Sequence, residues 1–458
     1  MSAPTTALLQ PIAQSERIQS IDVLRGMALL GILLMNILEF GLPGAAYDNL
    51  RLWGGDSGAN LWVFVVQYIL FEGKMRALFS MMFGASIVLL TERGATRGGG
   101  LGVADLYFRR MLWMVLFGIA HAYLIWHGDI LYPYAVSGLL LFVFRHWPPH
   151  RLMAVAAAMF ILTGVGSVFE GHDRVESRKK GEAAMALDKQ GVKLNDEQKK
   201  AKEDWEATLK RHNPPREELV KEVEAYRASY AKAFAQRAKR VREWHSGTIY
   251  DPGWFDFWGM MMLGMALLRL GVLQGERPFG FYARLALTGY VIGIPVNAWS
   301  VYSWVASGFD LMQAPFSYAP YHLGRVAVAM GHLGVVMMVF QRRWLPGLVA
   351  RLSAVGQMAL SNYIAHSVIC SFVFYSHGFK LIGQLERYQL YFVVVGIWIF
   401  NLMWSQIWLR YYRFGPLEWC WRSLTYWQRQ PMRIAPANNP VMLSAADLPF
   451  PESDRTQS

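Results

Sequence analysis

The sequence predicts an all-α, polytopic helical membrane protein with about ten transmembrane helices and one charged helical extracytoplasmic insertion. Three observations predict it. Of 458 residues, 54% are hydrophobic and only 17% charged, too apolar a balance for a water-soluble chain of this length. The apolar residues gather in runs of about twenty, the length that spans a bilayer core. Connections between the runs alternate between arginine-rich and arginine-poor, as the positive-inside rule requires of a chain weaving across a membrane.

In order, the spans are 22–42, 60–91 in two pieces, 108–126, 131–145, 152–170, 254–273, 281–305, 321–341, 353–376 and 389–411. One set of connections holds Arg93, Arg97, Arg109 and Arg110, then Arg145 and Arg151, Arg277 and Arg284, Arg342, Arg343 and Arg351, and a last group from Arg410 to Arg429. The opposite set carries few cations and includes Asp48, Asp56, Asp129 and Asp310. This bias places both termini in the cytoplasm. Residues 1–16 lack the basic region of a cleavable signal, and the first apolar run continues at spanning length.

Four regions follow: an N-terminal transmembrane region (1–170), the insertion (171–250), a C-terminal transmembrane domain (251–425) and a mobile cytoplasmic tail (426–458). The insertion is densely charged, reads as amphipathic helix broken at Pro214-Pro215, and is expected to form a helical hairpin over the outer mouth. The net charge of +12 reflects membrane orientation, so no nucleic-acid partner is expected. Cys370 and Cys420 form no disulfide framework, and no metal site is predicted. Phosphate-loop, HExxH, CxxC and GxSxG signatures are all absent.

Polar groups at hydrocarbon depth are costly, so they mark candidate sites. In the first span Asp22 and Arg25 precede Asn36, which lies eleven residues beyond Arg25, returning to within roughly 20° of the same helical face. Glu72, Lys74 and Arg76 interrupt the second stretch around Gly73, where a break is expected, with Glu72 and Arg76 spaced to pair. His121 lies about two turns inside the turn at Gly128-Asp129, where an imidazole can take a proton. Arg325 and His332 share a face, as do Asn362 and His366 beside Tyr363. Glu418 and Arg422 are spaced as a helical pair on a short amphipathic helix that closes the last span.

The motifs Ser-Ile-Asp-x-Leu-Arg-Gly at 20–26, Phe-Glu-Gly-Lys-x-Arg-x-Leu-Phe-Ser at 71–80, Trp-x-Gly-Asp-Ile-Leu at 126–131 and Gly-Pro-Leu-Glu-Trp-x-Trp-Arg at 415–422 resemble the YeiB family of bacterial membrane proteins. The part from about 250 to 425 resembles its DUF418 domain. The opening helix is also similar to that of transmembrane acyltransferases, including the heparan-α-glucosaminide N-acetyltransferase group and, more distantly, the acyltransferase-3 group. Acyltransferase-3 proteins carry a His where this chain has Asn36. The acetyltransferase group has Asn there, but its proposed catalytic His lies in the first outer loop, and residues 41–58 here contain no His.

The resemblance implies transfer of an acyl group from cytoplasmic acyl-CoA, as co-substrate, to an unidentified acceptor. Arg25 would meet the CoA phosphates, oriented by Asp22. Asn36 would stabilise the thioester oxyanion and His121 would act as base, positioned by Asp129 or Glu72. Lys74, Arg76, Arg325, His332, Asn362 and His366 are further binding candidates. Direct transfer and a covalent acyl-His intermediate both fit. The other reading is a transporter or flippase using the same polar interior for a small solute or lipid-linked intermediate. A non-catalytic scaffold is the third. Membrane lipids and a second copy in a homodimer are the expected partners.

Overall fold

The computed structural model describes residues 16–248 and 253–434. Among them every regular element is a helix, apart from one isolated bridge between Tyr412 and Arg433. The chain opens with α1 (Gln19–Gly41), α2 (Gly58–Leu70), α3 (Lys74–Thr96), α4 (Gly100–Leu124) and α5 (Leu131–Leu141). It continues through α6 (Pro149–Lys189), α7 (Asp196–His212), α8 (Arg216–Ala228) and α9 (Tyr230–Thr248). The second half comprises α10 (Gly253–Arg269), α11 (Phe279–Ala306), α12 (Ala314–Gln341), α13 (Pro346–Gln357), α14 (Ala359–Phe374), α15 (Leu390–Tyr411) and α16 (Pro416–Tyr426). The tail expected at 426–458 falls from 435 onward outside the described residues, as do residues 1–15 and 249–252.

Six described stretches are long and apolar enough to cross a bilayer: α1, α2 with α3, α6, α11, α12 and α15. The expectation of about ten spans is therefore not matched helix for helix. α5 and α14 are apolar but shorter, α10 has only 17 residues, and the span expected at 353–376 is broken at Met358 between α13 and α14. Large apolar side chains stand exposed along several long helices, including Ile161 and Phe169 on α6, Leu287 and Val291 on α11, and Phe392 and Ile407 on α15. Such surfaces suit lipid rather than water.

Small residues set the closest helix crossings, as membrane packing favours. A Cβ on Gly26 of α1 would lie 2.0 Å from the Leu352 carbonyl oxygen of α13, and one on Gly356 would lie 1.9 Å from that of Asp22. Gly84 of α3 and Gly264 of α10 meet in the same way against Met261 and Met81. The break at Gly73 is real: its φ of 67° suits glycine, and it ends α2 and starts α3.

The apolar span and the start of the insertion are one helix: α6 continues to Lys189, because no proline intervenes, Gly171 and Gly181 stay helical, and the first glycine of positive φ is Gly191. α7 and α8 then meet at Pro214-Pro215, as the sequence indicated. Arg237 of α9 is buried and donates to the carbonyls of Tyr123, Leu124 and Ile125, the unpaired end of α4. Tyr226 of α8 stacks on Tyr375 at 4.7 Å, and its carbonyl accepts the Ser376 N–H. The insertion thus sits over the end of the bundle where α1 and α4 finish. The arginine-rich connections gather at the opposite end.

Candidate functional site

A cavity of about 220 Å³ opens between α1, α3, α4, α5, α14 and α16 at the arginine-rich end. Five arginines line it, Arg17, Arg25, Arg93, Arg110 and Arg422, against two carboxylates, Asp22 and Glu418. Asp22 is shared: Arg17 donates to both its oxygens (2.9 Å each) and Arg25 to Oδ1 (3.0 Å). The other end of the Arg25 fork reaches Ser86 Oγ at 3.2 Å. Arg25 is thereby held against the cavity wall with its planar face set, an arrangement suited to phosphate or carboxylate.

Glu418 does not pair with Arg422. It accepts the N–H groups of Leu360 and Ser361 at the start of α14, at 2.6 and 3.1 Å, and the Ser361 hydroxyl as well. Burial pushes its carboxyl above the usual range, opposed by these hydrogen bonds. Arg422 instead packs over the Phe414 ring at 4.6 Å, and Arg110 over Trp421 at 3.9 Å. Neither guanidinium has a carboxylate of its own among the described residues.

Beyond the arginines the walls turn apolar, with Phe79, Phe83, Ile87, Met111 and Met114. Ile130, Leu131, Tyr134 and Tyr363 form the far end. Arg110, Met114, Gly118 and His121 repeat on one face of α4, so the cavity climbs that face toward His121, about 16 Å of helix above Arg110. The Tyr363 ring closes the passage and packs on the His121 ring at 5.1 Å between centroids. Its hydroxyl accepts from Ile130 N–H at 3.1 Å and donates to the Gly128 carbonyl at 3.3 Å.

Behind that ring, His121 Nδ1 lies 2.8 Å from Asp129 Oδ1 and Nε2 lies 2.9 Å from Ser367 Oγ. A carboxylate only accepts, so Nδ1 carries the proton toward Asp129 and Nε2 is free to accept from the Ser367 hydroxyl. Asp129 Oδ2 accepts the backbone N–H of Tyr132 in the first turn of α5 at 2.7 Å, which fixes the carboxylate plane. Gly118 permits this closeness: a Cβ there would lie 2.4 Å from Tyr132 N and 2.9 Å from Asp129 Oδ2. Of the two carboxylates expected to position His121, Asp129 is the one beside it and Glu72 lies elsewhere; Ser367 was not expected. A serine four residues after Tyr363, one after His366, carries no local signal, because its partner is 246 positions away.

The remaining candidates lie elsewhere. Asn36 shares the stripe of Arg25 on α1 but is half-buried outside the cavity, which leaves α1 at Arg25 and turns toward α4 and α5. Glu72 is not paired with Arg76, because the break at Gly73 removes the helical spacing; its carboxylate and carbonyl both accept from Tyr321. It borders a separate small void with Tyr47, Asp48, Gln67 and Tyr318. Lys74 is buried and donates to the Tyr68 carbonyl (2.7 Å) and Asn297 Oδ1 (3.1 Å). Arg76 (3.2 Å) and Arg325 both bind Asp256 of α10, a carboxylate that the sequence reading passed over although it stands alone in an apolar run.

His332 Nε2 donates to the Leu70 carbonyl at 2.7 Å and Nδ1 accepts from Tyr290 at 2.8 Å. Asn362 binds Val355, Trp404 and Ser405, and His366 meets Asn401, so this pair joins α14 to α13 and α15. Among the described residues no cluster of three or more His, Cys, Asp or Glu side chains could hold a metal.

Fold and site together define a helical membrane protein whose polar interior centres on an arginine-mouthed cavity. The family profile described as "Protein of unknown function (DUF418)" matches residues 267–428. The chain is 30% identical to the YeiB protein of Escherichia coli (strain K12) over 421 residues, covering 90% of this chain and 96% of that one. It is 27% identical to YxaH of Bacillus subtilis (strain 168), covering 93% and 98% respectively. The chain belongs to the YeiB family of DUF418 proteins.

Proposed function

We propose that the protein is an acyltransferase of the bacterial cytoplasmic membrane, with the arginine-rich end and both termini in the cytoplasm. Acyl-CoA is the co-substrate. Its phosphates meet Arg25, Arg110 and Arg422, and its slender thioester arm extends along the apolar walls toward Tyr363. A cavity of about 220 Å³ suits such an arm and leaves the nucleotide at the mouth. His121, oriented by Asp129, serves as the base for an acceptor hydroxyl or amine. The observation that carries the reading is the alignment of three parts: cations without carboxylates of their own, an apolar barrel, and a carboxylate-oriented imidazole directly behind its closed end.

The test uses the full chain in lipid nanodiscs, with acetyl-CoA and longer acyl-CoA and hydroxylamine as a surrogate acceptor. Release of free CoA thiol is expected, reduced by roughly a hundredfold or more in His121→Ala. Uptake of a labelled solute into proteoliposomes in the absence of acyl-CoA, with no thiol release, would replace the reading with transport.

A further inference from the structure

We infer that Ser367 is the nucleophile of this site and carries the acyl group as an ester between two half-reactions. The inference rests on the proposed acyl transfer and specifies its path. Ser367, His121 and Asp129 come from three separate elements, α14, α4 and the turn before α5, yet form a chain of hydrogen bonds at 2.9 and 2.8 Å; the Tyr363 carbonyl, one turn back on α14, is a second and longer acceptor for the Ser367 hydroxyl at 3.5 Å. The order is hydroxyl, imidazole, carboxylate, with the tautomer set as serine activation requires. A helix-joining histidine needs neither an anion nor an alcohol among its partners. His332 shows that simpler pattern, a carbonyl on one side and a phenol on the other. At His121 the partners are an anion held in plane by a backbone N–H and a primary alcohol, the pair that makes an alcohol nucleophilic.

Access is the second part of the argument. Ser367 is 1% exposed and His121 2%, so the relay is sealed in the resting conformation. Tyr363, one helical turn from Ser367 on the same face of α14, lines the cavity on one side and packs on the His121 ring on the other. When the phenol withdraws, the thioester carbon reaches Ser367, and the Ile130 N–H that the phenol occupied becomes free to receive the developing oxyanion.

The chemistry balances without any redox partner. Ser367 Oγ bonds to the acyl carbon as His121 Nε2 takes the hydroxyl proton. The C–S bond breaks, and the CoA sulfur leaves with that proton. In the second half the acceptor heteroatom bonds to the acyl carbon and gives its proton to His121, and Ser367 Oγ departs and recovers it.

The wild-type chain in nanodiscs is incubated with acetyl-CoA without acceptor, quenched in acid and mapped by peptide mass spectrometry. An acyl adduct on Ser367, with a burst of thiol approaching one per chain, is expected. In parallel a fluorophosphonate, which phosphonylates activated serines independently of CoA, should label Ser367 and fail in His121→Ala. Ser367→Ala should lose adduct and burst while acetyl-CoA still protects the chain against thermal unfolding. If Ser367→Ala turns over at the wild-type rate while His121→Ala does not, the serine step is overturned and direct transfer stands. Fluorophosphonate labelling of Ser367 without any thiol release would keep the nucleophile and sink the acyl-CoA reading. No adduct on Ser367 from either reagent overturns the inference.

Discussion

Around Asp256, where α3, α10 and α12 pack, one carboxylate is bound by two guanidiniums, with Arg325 2% exposed. Lys74, Glu72 and His332 nearby are each hydrogen-bonded to carbonyls, phenols or an amide. Around the cavity of α1, α4 and α14 the balance is reversed, with five arginines lining a void with two carboxylates, one of which is spent on the start of α14. Both regions bury charge among apolar helices, which costs free energy. The first meets that cost by pairing: its guanidiniums share one buried carboxylate, and of Arg325 only Nε lacks a partner. The second keeps cationic capacity directed at empty space, the condition for recognising an anion.

The sharpest way to break this comparison is to remove one partner from each region. Asp256→Asn leaves Arg325 buried without its counter-charge, and a cost of about 3–5 kcal/mol is expected. It should appear as lost monodispersity and a large fall in thermal stability of the detergent-solubilised protein. Arg110→Gln or Arg422→Gln should leave that stability unchanged or slightly raised, because each removes a cation from a crowded set. An Asp256→Asn protein as stable as wild type would show that the ionic network is not what holds these helices.

Next in size is the junction between cavity and relay. Gly118→Ala forces a methyl against Tyr132 N and Asp129 Oδ2, so the turn before α5 must move. Overpacking of this kind costs about 1–3 kcal/mol, and the carboxylate that orients His121 shifts with it. Acyl-CoA consumption should fall by at least tenfold while acyl-CoA binding persists, since the arginines lie at the far end of the cavity. Loss of binding and turnover together would mean that the two ends are not separate in function.

What could be read from the sequence follows the same division. The break at Gly73, the stop at Pro214-Pro215 and the gathering of arginines at one end depend on local residue types, and each appears in the fold. His121 with Asp129 was legible because eight residues and a tight turn separate them. Asp256 with Arg325 and Ser367 with His121 join positions 69 and 246 residues apart, and nothing in either segment points to the other. The shared stripe of Arg25 and Asn36 was sound geometry on an unbroken helix. A helix face alone, however, does not say where a cavity leaves it. The span at 152–170 and the amphipathic helix after it were both legible, but not that one helix carries both, because charge marks where the apolar stretch stops and not where the backbone turns.

Arg110 and Arg422 supply a third test, now of affinity. A hydrogen bond to a charged partner contributes about 1.5–3 kcal/mol, so each substitution by Gln should weaken acyl-CoA binding by roughly tenfold to a hundredfold. The salt dependence of the remaining affinity should flatten, because a screened contact has been removed. Equilibrium binding of a fluorescent acyl-CoA at two ionic strengths measures both. Unchanged affinity in the two variants would move the phosphate site away from this mouth.

The smallest effect belongs outside the bundle. His212, at the end of α7, is driven down to about 4, first by burial and then by Arg174 and Arg211. Its ordinary value is 6.5, so between these limits the unfolded insertion binds more protons than the folded one. The contribution of a neutral His212 to the stability of the insertion is therefore fully present above pH 6.5 and is lost progressively as pH falls toward 4. Partial exposure and water weaken the effect relative to any charge inside the bundle. Limited proteolysis of 171–248 at pH 7 and pH 5 should show modestly faster cleavage at the lower pH in wild type, and less difference in His212→Gln. If the cleavage difference survived that substitution, another titrating group would have to govern the insertion. If instead the ionic network around Asp256 loosened over the same pH range, pairing would not be protecting that network.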